Sequence, residues 1–257
     1  LIYVSILGVL TMKFSMLASG SKGNCCVVEN KDSRIVIDCG TTKKYLNSSF
    51  NEIGIDPHAV DGLLITHTHK DHIAALKLFE GIDTYAEEDL GIMNQKIIHP
   101  DDEFTISSIH VRCIRLSHDA ACMGYLLEDE ESRLVYVTDT GYFKEEYYPL
   151  LCNADDYIFE SNHDIGMLMK TSRPAYVKQR IIQDNGHLCN EDSAKHLANL
   201  IGERTREIVL AHLSEEGNSH ERALTVLEET LLREQRMKEN LKLRAAKQHE
   251  VLTGGRR

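Results

Sequence analysis

The segment Thr66-His67-Thr68-His69-Lys70-Asp71-His72 restricts what this chain can fold into more than any other. It follows directly on Gly62-Leu63-Leu64-Ile65, an apolar run with the length and composition of a buried strand. Three imidazoles and a carboxylate packed into six residues fit poorly with ordinary packing, because buried His and Asp must be paired or bound to something. At a strand end such a cluster signals a metal site. The spacing has a mechanical meaning. His67 and His69 stand two apart, so on an extended segment leaving a strand they point the same way. Asp71 and His72 follow where a helix can begin, and there they can face a second ion. One short loop would then ligate two metals.

Other segments join polar residues to apolar runs in a fixed order. Arg34-Ile35-Val36-Ile37 ends in Asp38-Cys39-Gly40, and further on comes Leu116-Ser117-His118-Asp119. Leu134-Val135-Tyr136-Val137 runs into Thr138-Asp139-Thr140-Gly141, and Ile208-Val209-Leu210-Ala211 into His212-Leu213-Ser214. Together with the His loop, these elements resemble the metallo-β-lactamase superfamily of binuclear metallohydrolases over roughly residues 12–220. The resemblance implies an αββα sandwich of two mixed β-sheets with outer helices. It implies one metal site from His67, His69 and His118, a second from Asp71, His72 and His212, and Asp139 bridging both. Asp38 would support the His loop by hydrogen bonds, the kind of backing that metal ligands need. Two divalent ions, Zn²⁺ or Mn²⁺, suit an all-His/Asp set, and ligand type alone does not choose between them. A redox diiron role is disfavoured, because His69 and Asp71 follow the hydrolase pattern.

Length and charge bound the remaining possibilities. A chain of 257 residues is long enough for one large domain with a substantial core. The net charge of −11 argues against a protein that coats nucleic acid through bulk charge. Seven cysteines, an odd number without a Cys-x-x-Cys pair, point to reduced cytoplasmic thiols. Residues 1–11 are apolar but too short to span a bilayer and lack a basic start. They are expected to be a non-native or dispensable extension ahead of Met12-Lys13-Phe14, so no membrane association is expected.

The hydrolase domain is expected over residues 12–220. Strands are expected at Phe14–Leu17, Cys25–Glu29, Arg34–Ile37 and Gly62–Ile65, and a second set at Glu103–Ser107, His110–Arg115, Gly124–Glu128 and Leu134–Thr138. Helices are expected over Lys43–Ile53, from Ile73 to Phe79, over Pro174–Asp184 and over Glu191–Leu200, with a strand at Glu207–Ala211. Residues 221–257 are expected to form a C-terminal helix and basic tail. That helix starts near Asn218-x-x-Glu221, a capping-box pattern, and runs from about Ser219 towards Gln248. Residues 233–257 carry eight Lys/Arg against three Glu, a segment that could track a DNA backbone or simply be a solvated face.

Three more segments bear on substrate. Ser19-Gly20-Ser21-Lys22-Gly23-Asn24 has the glycines and small polar side chains of an anion-binding turn, with Ser19, Ser21 and Asn24 as contacts; an ordinary hairpin turn is the alternative. Glu160-Ser161-Asn162-His163 follows an apolar run, and Gly186-His187-Leu188-Cys189-Asn190 precedes a helix. This trio resembles the YycJ (WalJ) branch of the superfamily, associated with phosphodiester hydrolysis and 5′–3′ exonuclease activity on DNA. Cys189 departs from that branch's commoner Ser. By the resemblance, Asp71, Glu160 and His187 are the catalytic residues. Glu160 would orient His187 as general acid, and His163 would contact phosphate. The expected partner is therefore nucleic acid or another phosphodiester. The absence of an evident Gly/Pro-rich arm argues against tRNA processing. Alternatives are a small-molecule hydrolase for a cyclic phosphodiester, thioester or lactone, and a regulatory protein that keeps the fold. The oligomeric state has no signature in the sequence.

Overall fold

Alternate residues on the central strands are apolar on both faces, so each sheet must be covered twice. In 133–137, Leu134 and Tyr136 face one apolar cluster while Val135 and Val137 face another. The computed structural model, which describes residues 12–255, meets this demand with two stacked sheets and helices outside them. The expectation for residues 1–11 lies outside the described residues.

The first sheet holds β1 (Lys13–Ala18), β2 (Cys25–Glu29), β3 (Arg34–Ile37), β4 (Gly62–Leu64), β5 (Thr84–Ala86) and β6 (Gln95–Ile97). The second holds β7 (Glu103–Ile106), β8 (Ile109–Leu116), β9 (Cys122–Glu128), β10 (Arg133–Val137), β11 (Asp156–Glu160) and β12 (Glu207–Ala211). Two late strands, β13 (Lys242–Ala245) and β14 (Leu252–Gly255), complete the second and first sheets respectively. The strand orders are β14-β1-β2-β3-β4-β5-β6 and β13-β12-β11-β10-β9-β8-β7. Both sheets mix parallel and antiparallel pairings, as expected.

The helices are α1 (Lys43–Glu52), α2 (Lys70–Ile73), α3 (Tyr148–Leu151), α4 (Ile165–Lys170), α5 (Ala175–Ile182), α6 (Asn190–Leu200) and α7 (His220–Arg233). Phe14, Ile35, Ile37 and Leu64 meet Tyr125, Tyr136 and Val209 between the sheets. Leu46 and Phe50 of α1 cover Val36 and Leu63 on the first sheet's outer face. Leu197 of α6 and Leu227 and Leu231 of α7 cover Val135, Phe159 and Leu210 on the second. Among the described residues no helix is long and apolar enough to cross a membrane.

Two expectations are corrected. The helix expected from Ile73 to Phe79 divides into α2 and a 3-10 turn at Leu76–Phe79. The C-terminal segment is neither one long helix nor a tail. Ser219, not Asn218, caps α7 by accepting from Arg222 N at 3.1 Å. The helix ends at Arg233, and Gln235 takes a left-handed φ of 56°. Leu241-Lys242-Leu243-Arg244-Ala245 then alternates with strand period and pairs in parallel with β12. Three of its basic side chains are committed within the fold: Arg244 pairs with Glu207, Lys247 with Glu250, and Lys238 donates to the carbonyls of Gly202, Glu203 and Thr205.

Candidate metal centre

Three of the strand ends that build the site bend sharply there. Asp38 follows β3 with φ 60°, Asp139 lies two residues past β10 with φ 61°, and His212 follows β12 with φ 56°. A left-handed non-glycine residue carries strain of about 1–3 kcal/mol and persists only where its surroundings over-determine it. The surroundings do so here. Asp38 is fully buried and accepts from Thr66 N and Thr66 Oγ1, each at 2.8 Å, and from His72 Nδ1 at 2.8 Å. The ends of the loops interlock through backbone bonds, Cys39 N to His72 O at 2.7 Å and Asn24 N to Asp71 O at 2.9 Å. The approach is so close that a Cβ on Gly40 would lie 1.5 Å from the Asp71 carbonyl oxygen.

Within this frame His67, His69 and His118 offer nitrogens all within 4.8 Å of one another. Asp71, His72 and His212 form a second such group, and Asp139 joins His67 and His72 in a third that connects the two. The His67 ring centroid lies 5.0 Å from that of His118 and 4.0 Å from that of His72. Hydrogen bonds on the outer nitrogens set the tautomers. Nδ1 of His72 donates to Asp38, Nδ1 of His118 to the Gly186 carbonyl at 3.2 Å, and Nδ1 of His212 to Glu160 at 2.8 Å.

The inner atoms test whether metal ions belong here. His67 Nε2, His212 Nε2 and Asp139 Oδ2 are buried without any hydrogen-bond partner. Leaving three such atoms unpaired is costly, and all three belong to the grouped ligands, so the donor set fits divalent metal. Protonation agrees in part. Burial holds the His67 and His118 imidazoles below their ordinary range, in the neutral form that ligates. Burial also acts to lower His212, but the Asp139 and Glu160 carboxylates outweigh it and raise that imidazole to about 9. The His212 and His72 imidazoles hold Asp139 well below the usual carboxylate range despite its burial.

Glu160 is the hub of the second half of the site. At the end of β11 it is fully buried and accepts five hydrogen bonds. Oε1 takes Asp139 N, His187 Nδ1 and His212 Nδ1 at 3.1, 2.9 and 2.8 Å; Oε2 takes Thr140 N and Leu188 N, each at 3.0 Å. Burial would raise its pKa, but His187 and His212 hold it down to about 2. His187 lies with its ring centroid 5.2 Å from His118 and 5.1 Å from His212, and its side chain keeps 16% exposure. The sequence linked Glu160 to His187 alone. Its bond to His212 lies 52 residues away in sequence and left no local sign.

The residues expected to contact substrate are placed differently. Ser19 is buried, and its Oγ accepts from His212 N at 2.8 Å. Asn24 is fully buried and braces the loop: its side chain bonds Gly20 N and O and lies 3.0 Å from His72 Nε2. His163 is 2% exposed, and burial pulls its imidazole down to about 4, so it carries no positive charge for a phosphate at neutral pH. Ser19 and Asn24 thus brace the loops around the cluster, and His163 is buried beside it. Ser21 remains exposed on the same loop. The loop is pinned from behind by Gln248, which accepts from Lys22 N and donates to the Gly23 carbonyl, each at 2.9 Å. Asp119 directly follows the ligand candidate His118. Its Oδ1 lies 3.2 Å from His118 Nε2 and 3.5 Å from His69 Nε2, at the mouth of the cluster.

Comparison with known proteins places this geometry in context. The model of the Beta-lactamase superfamily domain matches residues 33–213. Exodeoxyribonuclease WalJ of Streptococcus pneumoniae is 36% identical over 228 residues, covering 82% of this chain and 85% of that protein. Exodeoxyribonuclease YycJ of Bacillus anthracis is 35% identical over 227 residues, covering 82% and 86%. Among solved structures, the metallo-beta-lactamase fold protein YhfI of Bacillus subtilis superposes with a TM-score of 0.71 at 17% identity, covering 95% of this chain and 99% of YhfI, a likeness of fold alone.

Proposed function

The chain belongs to the β-lactamase superfamily, and on that premise we propose that it is a metal-dependent phosphodiesterase that removes nucleotides from DNA ends, an exodeoxyribonuclease. The observation that carries this reading is the Glu160–His187 pair, 2.9 Å apart and set beside the imidazole and carboxylate cluster. A sugar alkoxide is a poor leaving group and needs a proton; a thioester hydrolase, whose thiolate leaves readily, has less use for a dedicated acid. The names of the two bacterial relatives support the same substrate.

We assign two ions to the centre, one held by His67, His69 and His118, the other by Asp71, His72 and His212, with Asp139 shared. The donors suit Zn²⁺ and Mn²⁺ alike. When bound, such ions supply Lewis acidity at phosphoryl oxygen and lower the pKa of water. The rest falls to the chain's own side chains. Asp38 and Thr66 hold the His loop in register. Asp71 Oδ2 lies 3.9 Å from His72 Nε2, where it completes the second group of ligands. Hydrolysis adds the elements of water across a P–O bond, so one proton must reach the departing oxygen. His187 donates its Nδ1 proton to Glu160, which leaves Nε2 to carry and deliver the other. Work on DNA by a chain with seven free thiols suits the cytoplasm.

The test is purified protein with Mn²⁺ or Zn²⁺, assayed on DNA and RNA labelled at either end, on bis(p-nitrophenyl) phosphate and on a thioester. Stepwise, chelator-sensitive shortening of DNA is expected, and the labelled end reports polarity. Turnover of thioesters or lactones with DNA, RNA and the model diester left intact would overturn the reading.

A further inference from the structure

Helix α5 is anchored to the metal cluster at its C-terminal end. His187 N donates to the Ile181 carbonyl at 2.9 Å, and His118 Nδ1 donates to the Gly186 carbonyl at 3.2 Å. Gly141, two residues after Asp139, packs so tightly there that a Cβ on it would lie 2.2 Å from the Gln183 carbonyl oxygen. From this base the helix runs along the rim, and Tyr176, Gln179, Arg180 and Gln183 fall on its solvent face. Arg180 Nη1 reaches to 3.7 Å from Asp119 Oδ2, the carboxylate at the mouth of the cluster, while its side chain stays 67% exposed. Tyr176, one turn away, is 74% exposed. Five of the eight exposed large apolar side chains among the described residues, Tyr142, Ile165, Met169, Tyr176 and Ile182, fall between residues 142 and 182.

These features have little to do for the fold. An exposed guanidinium at this distance from one carboxylate gains little from it, and a guanidinium fork suits phosphate at least as well. A tyrosine ring left open to water one helical turn beyond Arg180 offers a face for another π system.

We propose that α5 guides single-stranded nucleic acid to the cluster, with Arg180 holding a backbone phosphate next to the one being cleaved and Tyr176 stacking on a base. The proposal rests on the nuclease reading and narrows it. A base presents an open face to Tyr176 only when it is unstacked on that side, so the substrate at the site is an unpaired strand end, supplied as such or frayed from a duplex. The chain's net charge of −11 gives no bulk attraction for a polyanion, which leaves local contacts of this kind to supply the hold.

Binding of a fluorescein-labelled single-stranded oligonucleotide with a cleavage-resistant phosphorothioate backbone, read by anisotropy on the metal-loaded protein, tests this. Tyr176→Ala is expected to weaken binding roughly 5- to 100-fold, the range for loss of one base–aromatic stack, and Tyr176→Phe to restore it. Arg180→Ala is expected to lower the slope of log affinity against log salt by about 0.7, one phosphate contact on a single strand. A Phe variant as weak as the Ala variant overturns the stacking role. Unchanged affinity and salt slope in both Ala variants, with the unaltered protein still cutting DNA, overturns the α5 rim and leaves the nuclease reading standing. An unaltered protein that neither binds the oligonucleotide nor cuts DNA, yet hydrolyses a thioester, overturns the nuclease reading itself.

Discussion

Glu160 and His187 share a hydrogen bond but have separable duties. His187→Ala removes only the proposed acid, so turnover of DNA should fall by roughly 10²–10⁴-fold. A p-nitrophenolate leaves with little help, so hydrolysis of the model diester should fall much less. The ratio of the two losses is the measurement, with metal content confirmed unchanged; equal losses would make His187 a phosphate contact or a support. If Glu160 only oriented His187, its variants would give a weaker copy of this pattern. The structure reverses that expectation, because Glu160 Oε1 also holds His212 Nδ1 and Asp139 N. In Glu160→Gln an amide NH₂ must face backbone or imidazole donors on one side. Losses on both substrates and reduced bound metal by elemental analysis are expected, whereas His187→Ala should keep its metal.

The elements show which parts of this design a sequence can announce. The His loop was legible because its ligands lie within six residues and follow a short apolar strand. Asp38, Asp139 and His212 were legible through the apolar runs before them. What stayed hidden is long-range: Ser19 Oγ on His212 N spans 193 residues, and Gln248 on the loop at Lys22 spans 226. The strands β13 and β14 were missed because each is four residues long, too short for period two to outweigh a charged, helix-compatible composition. Gly40 belongs to this scale, since it sets how closely the end of β3 meets the His loop. Gly40→Ala forces a Cβ against the Asp71 backbone, which no side-chain rotation relieves. A cost of about 2–3 kcal/mol is expected, read as a Tm lowered by roughly 5–10 °C, together with weaker metal retention. A variant with unchanged Tm and metal content would show that the two loops part without penalty.

Across the whole molecule, the strand ends opposite the site carry their own buried charge. Asp156 starts β11, 2% exposed, with Oδ1 unpaired and Oδ2 3.3 Å from Arg206. Burial raises its pKa to about 6, only partly offset by Arg206. For a carboxyl raised on folding, the folded state binds the proton more tightly than the unfolded state. Its contribution is therefore fully present below about pH 4 and is lost as pH rises through about 6. Asp156→Asn should remove that loss. The variant's Tm should gain on the unaltered protein between pH 4 and pH 7.5, by the equivalent of about 2 kcal/mol, and a gap that stays constant with pH would refute this. The late strands have a consequence in time. Synthesis delivers a chain N-terminus first, at about 5–20 residues per second, so every proposed ligand leaves the ribosome before residues 242–255 close the two sheets. Until then β1 and β12 offer unpaired backbone to any neighbouring nascent chain. A message that stalls or terminates in this stretch yields a sticky polypeptide on the polysome, a burden for chaperones and proteases rather than a harmless inactive product.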